Sequence, residues 1–356
     1  MWAIANDTPL SADRTWVRDR DGAEVWLVAA KATFLVREDG SLKLAPEQEP
    51  VRLVPAYLGA PGASGLRYDI DLVHRKVATD ILVHGHAYAP PGARVAATKV
   101  GFRVGEIAKE LGVFGDRFWR STRAGLAMSE AEPFERLPVT WERAFGGYGD
   151  PERKTWDVRN PVGTGFAGSV EHAADAKLPN VEDLAALIRN WDDRPPPAGF
   201  GPVDRHWSAR SVHAGTYDEA WAETRKPLLP DDFDDRYHQC APADQQANGF
   251  LRGGEPVRLW NMTPSGKLSF RLPRVSVAFR TRFSDRTVAD HRAELHSVIL
   301  EPYVPRVILT WHSHLRCHAK VLKLLESRVV ATRGADRTAG PPDDYGNIDR
   351  GTEEAA

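Results

Sequence analysis

The segment WHSHLRCH, residues 311–318, crowds four side chains that can bind metal or act as nucleophiles. On a β-strand, His312 and His314 project from one face, a spacing that can bring two imidazoles to one metal ion. Cys317 and His318 follow at once and could add ligands. A second same-face pair, His84 and His86, stands in VHGHAY. Neither pair comes with an HExxH pattern, so the carboxylate base of a metal-dependent hydrolase is not visible. The plainer reading makes these histidines half-buried polar residues on sheet surfaces, and it is preferred here. No metal and no cofactor are expected, and His312, His314 and His318 are the residues on which a metal would be sought.

Other chemistries find less in the chain. No GxSxG elbow is present. Cys240 follows His238 closely, but proximity in sequence does not make a catalytic pair, and a packed cysteine is the expectation. The two cysteines, Cys240 and Cys317, lack CxxC partners, which excludes a zinc ribbon or a redox dithiol. The glycines of LRGGEP (251–256) and FGGYGD (145–150) have no P-loop lysine after them and read as turns. The acidic run DDFDDR (231–236) lacks EF-hand spacing and reads as a solvated turn. No catalytic residue is assigned.

The bulk properties narrow the partners. A formal charge of −2 over 356 residues gives no basic field to gather nucleic acid or anionic lipid. No apolar run approaches the ~20 residues that a membrane-spanning helix needs. The N-terminal MWAIANDTPLSADRTW has no basic start, apolar core or cleavage site. A cytoplasmic protein with reduced thiols is expected.

The elements that must position these residues are mostly strands. VWLVAAKATFLV (25–36) is β-branched and aromatic, and Asp39-Gly40 then signals a hairpin. Residues 77–89 alternate. Residues 93–115 hold two runs around Val104-Gly105-Glu106-Ile107, a hairpin candidate with a competing helical reading over 95–112. Strands return at 255–263, 274–283, 293–302 and 306–315, where Val275, Val277 and Phe279 share one face. Helices are too few to cover a parallel sheet on both faces. The expectation is a mainly β protein of antiparallel, sandwich-like sheets, built as one composite domain over residues 1–330. An acidic tail, 331–356, is expected to be disordered.

Between the strand-rich ends, 141–250 is irregular and rich in proline, glycine and aromatic residues. So long a loop region inside a domain is functional or disordered, and its many aromatics argue against disorder. One helix is predicted over 179–193, with Asn180 as cap and Leu184, Leu187, Ile188 and Trp191 at helical spacing. A second, shorter one is predicted over 216–226, stopped by Pro227. Tryptophan and arginine dominate interface hot spots, and Trp141, Trp156, Arg159, Trp207 and Trp221 are the partner-binding candidates. More than half of the aromatics are expected to pack on the core instead.

From Trp2 to about Val330 the chain resembles a bacterial family first catalogued as a domain of unknown function. The resemblance rests on NDTPLSADRTWVRDRDGAEVWLVAAKATF (6–34), GDRFW (115–119), PFERLPVTWERAFGG (133–147), NPVGTGF (160–166) and PPPAGFGP (195–202). It continues through AGTYDEAW (214–221), PDDFDDR (230–236), APADQQ (241–246) and LRGGEPVRLWNMTPSGKLSFRLP (251–273). Members are encoded beside VgrG and PAAR spike proteins in type VI secretion clusters. The resemblance implies an adaptor-chaperone that holds a type VI effector protein and passes it to the VgrG–PAAR tip, without catalytic residues. The enzyme alternative is a metal-dependent hydrolase built on His312 and His314.

Overall fold

The computed structural model describes residues 2–333, apart from Pro151 and His318. The chain is mainly β, with several antiparallel sheets and only short helices. The largest sheet runs in the order Ser11–Arg18, Glu24–Val36, Arg306–Arg316, Glu294–Glu301, Asp80–Val83, with Leu42–Leu44 added to the far end of Glu24–Val36. Its contacts are antiparallel except the last, where Glu294–Glu301 meets Asp80–Val83 in parallel. Glu24–Val36, the second strand of the hairpin begun by Ser11–Arg18, therefore pairs with one from the far end of the chain.

A five-stranded antiparallel sheet runs Val181–Asp183, Ile107–Phe114, Ala97–Val104, Pro256–Trp260, Lys267–Arg271. The 104–107 hairpin forms as predicted, with Gly105 at φ 56° in its two-residue turn. A four-stranded sheet runs Ala3–Ala5, Leu324–Arg333, Val275–Phe283, Val288–Arg292. Val275, Val277 and Phe279 do face inward together. One core draws on all three sheets: Trp26 and Phe34 from the first, Phe102 and Val113 from the second, Val277 and Phe279 from the third.

The apolar run of Glu24–Val36 is nearly continuous because both of its faces are covered. Trp26, Val28, Ala30, Ala32 and Phe34 enter the shared core. Val25, Leu27 and Ala29 point the other way, against Val51 and Leu72. Lys31 lies on that second face, 1% exposed, and its ammonium reaches the Asp71 carboxylate at 2.7 Å. Val51, Tyr68, Asp71 and Leu72, and from farther along the chain Cys240 and Ala241, thus lie over the outer face of the largest sheet.

Two expectations need correction. The helix over 179–193 does not form. Val181–Asp183 is instead an edge strand on Ile107–Phe114, and only turns follow. Asn180 does not cap a helix, since its side-chain amide donates to the Phe114 carbonyl and the Asp116 carboxylate. Glu182 is 3% exposed, paired with Arg117, and its other oxygen accepts from the Ile188 amide. These long-range partners outweigh a weak local propensity. The boundary of the tail also moves: the last strand runs to Arg333, and Ala331 pairs with Val277 at 8% exposure. The rest of the expected tail lies outside the described residues.

The second predicted helix exists as Glu219–Thr224, capped by the Asp218 carboxylate on the Trp221 amide. The remainder of 141–250 is irregular yet anchored. Asn160, wholly buried, donates to the Trp141 and Phe145 carbonyls. A Cβ on Gly146 would stand 2.2 Å from the Asn160 carbonyl oxygen, and at φ 143° only glycine fits there. Gln245 donates to the Ile81 and Phe200 carbonyls, stitching the segment to the largest sheet.

Candidate functional site

Register decides where the histidines go. Lys31 pairs with Thr310, Ala29 with His312 and Leu27 with His314, so both histidines stand on the outer face of the largest sheet. They share that face, as their spacing predicts, but not an environment. His312 is 1% exposed and neither of its ring nitrogens has a hydrogen-bond partner. A bulge between Leu295 and Ser297 releases His296 from the ladder. Its ring stacks on His312 with centroids 4.5 Å apart. Burial, reinforced by His314, pushes the His312 imidazole down to about 3, so it is neutral at physiological pH.

Beside this stack the face stays polar though covered. Lys76 is 3% exposed and its ammonium donates to Asp80, which also accepts from the Cys240 and Gln239 groups at 2.9 Å. The Cys240 thiol donates to the same carboxylate at 3.3 Å, and burial pushes it far above its ordinary range. Cys317 is likewise buried and free, its thiol pushed up to about 11. Neither is an activated nucleophile.

Where the row of histidines reaches the surface there is a cavity of about 300 Å³, lined by Asp19, Val25, His74, Arg75, His314 and Arg316. His314 is exposed, and its ring centroid is 6.3 Å from that of His74. Behind His74 lies the short 3-10 turn Asp235–His238, capped by the Asp234 carboxylate on the Arg236 amide. Side chains at i and i+3 of such a turn eclipse, which aims Asp235 and His238 the same way. Asp235 reaches His74 Nδ1 at 3.5 Å. The contact with His74 holds its carboxyl below the usual carboxylate range. Burial pushes His238 down to about 4 against the attraction of Asp235. Asp235 belongs to the run 231–236 that reads, by composition, as a solvated acidic turn, and His238 lies two residues beyond it.

The other histidine pair separates as well. His84 packs edge-on against Tyr68 at 5.4 Å, whereas His86 meets the Arg136 guanidinium at 3.3 Å. Of the five partner-binding candidates, two are internal. Trp141 and Trp207 are each 5% exposed, packed edge to face at 5.6 Å, with the Trp141 indole donating to the Pro202 carbonyl at 3.0 Å. Trp221 is half-buried, its indole donating to the Leu228 carbonyl. Arg159 lies at the surface, its guanidinium held by Asp157 at 2.6 Å.

Trp156 is different, 48% exposed on a short ladder with Tyr148, itself 41% exposed. The ladder is fixed by the Gly149 amide on the Thr155 carbonyl and the Asp157 amide on the Gly147 carbonyl. Val158, in the turn that follows, is 53% exposed. The Asp150 carboxylate braces the ladder by accepting from the Lys154 and Thr155 amides. The two aromatics therefore stand exposed on a hydrogen-bonded turn.

Antiparallel sheets with an anchored, aromatic central segment define a β protein that carries an exposed aromatic ledge and a histidine-lined cleft. Residues 21–312 match a family described as an uncharacterized protein conserved in bacteria, DUF2169. The match covers most of the chain, and the protein belongs to that family. No curated protein and no solved structure matches it. Among the described residues no helix is long and apolar enough to cross a membrane.

Proposed function

We propose that this protein is an adaptor-chaperone that holds a type VI secretion effector in the cytoplasm and loads it onto the VgrG–PAAR spike. The observation that carries the reading is the ledge of Tyr148, Trp156 and Val158, large apolar side chains held open by a braced backbone. An exposed aromatic on a hydrogen-bonded turn has less backbone freedom to lose when a partner covers it than one on a free loop, which favours its use as an interface anchor. The ledge stands in the central segment, between PFERLPVTWERAFGG (133–147) and NPVGTGF (160–166), two of the motifs that carry the family resemblance. The occupant fitted to it is an apolar stretch of the effector. The hydrolase alternative has weaker support, because His312 is sealed beneath the surface while His314 is open.

Co-expression with the effector encoded by a neighbouring gene tests the proposal. The two proteins are expected to co-purify, and the double variant Trp156→Ala, Tyr148→Ala is expected to recover roughly tenfold less effector or worse, as a lost hot spot does. Undiminished recovery with that variant, or unchanged effector abundance and secretion in a strain lacking the chain, overturns it.

A further inference from the structure

Among the described residues, one group brings together three side chains suited to a metal: the ligand atoms of His74, Asp235 and His238 all lie within 4.8 Å of one another. They arrive from two separate segments, and neither segment belongs to the ledge. From these positions we infer that the protein binds one first-row divalent metal ion, zinc by its donor set, through His74, Asp235 and His238.

Three observations support the site. The 3.5 Å between His74 Nδ1 and the Asp235 oxygen is close to the ~3.3 Å edge of a tetrahedron with ~2.0 Å bonds. His238 Nε2 is sealed from solvent and has no hydrogen-bond partner, a cost that a bound cation or its water would remove. The 3-10 turn presents Asp235 and His238 on one side, so little rearrangement is needed.

The surroundings fix the character of the site. Arg316 lines the same cavity but is neutralised by Asp19 and Asp21. Arg75 also lines it, and its charge opposes a cation there while favouring an anion beside the metal, so the ion must be held by direct ligation. His314 stands across the cavity from His74 at 6.3 Å between ring centroids, near enough to serve as a fourth ligand or to hydrogen-bond a metal-bound water. Of the three ligands His74 also lines the open cavity, toward which one coordination position would stay free. The buried stack of His296 and His312 lies outside the site.

The inference is independent of the adaptor reading and is tested on the full chain stripped of metal. Titration with Zn²⁺ against a chromophoric chelator is expected to show one equivalent per chain, and Co²⁺ to give visible ligand-field bands. His74→Gln, Asp235→Asn and His238→Ala are each expected to weaken Zn²⁺ binding by at least roughly tenfold, the lower end of what loss of an outer-shell partner costs. His312→Phe is expected to leave it unchanged. Zn²⁺ is also expected to raise the melting temperature of the parent protein but not of His74→Gln, a substitution at a partly exposed ring that spares the fold. Equal Zn²⁺ affinity in the parent and the His74→Gln protein overturns the inference, as does loss of binding in His312→Phe alone.

Discussion

At the scale of single residues, two imidazoles two positions apart meet opposite fates, and the difference is solvent. His312 and His314 leave the same strand on the same face, but His296 and the covering segment close over the first. A neutral buried imidazole links stability to pH. Folded His312 titrates near 3 and an unfolded histidine near 6.5, so between those values the unfolded chain binds the extra proton. Stability is then full above about pH 6.5 and falls as the pH drops through the window toward 3, by ~2 kcal/mol at about pH 5 for one such group. His312→Phe, which removes the titration and fills the stack, is expected to flatten this acid slope in melts recorded from pH 7 to 5. An unaltered slope would assign the acid sensitivity to other buried histidines. The Asp235–His238 spacing was legible in the chain, but His74, more than 150 positions away, became its partner only through folding.

Elements were readable where local pattern and tertiary demand agree. The alternation of Val275–Phe283 and the turn at Gly105 needed nothing beyond their own neighbours. The helix signal over 179–193 was locally sound and lost to a buried Arg117–Glu182 pair and an edge of the five-stranded sheet that accepts one more strand. Gly115 shows a constraint that spacing does not reveal. It follows Ile107–Phe114 with its amide on the Ala96 carbonyl, and an added Cβ would lie 1.8 Å from the Glu132 carbonyl oxygen. Gly115→Ala must push residue 132 away from the sheet end. It is expected to cost about 1–3 kcal/mol, the usual toll of overpacking, seen as a lower denaturant midpoint at constant m-value. A midpoint unchanged from the parent would show that residue 132 yields freely.

For the molecule as a whole, burial sorts the tryptophans of the central segment into scaffold and surface. Trp141→Ala opens a cavity where the indole packs on Trp207 and Gly199 and is expected to cost ~3–5 kcal/mol in denaturant unfolding. Trp156→Ala removes a side chain that faces water and is expected to shift stability by less than about 0.5 kcal/mol. Equal losses for the two would mean that the ledge serves the fold and not a partner. The amino-acid sequence alone determined the fold class, most strands and turns, and an ordered but irregular middle, because side-chain periodicity and turn chemistry act over a few residues. Tertiary structure alone decided which aromatics stay in solvent, which histidine is sealed and which three donors meet. Those outcomes depend on strand register and on contacts between segments far apart along the chain, and no local pattern encodes them.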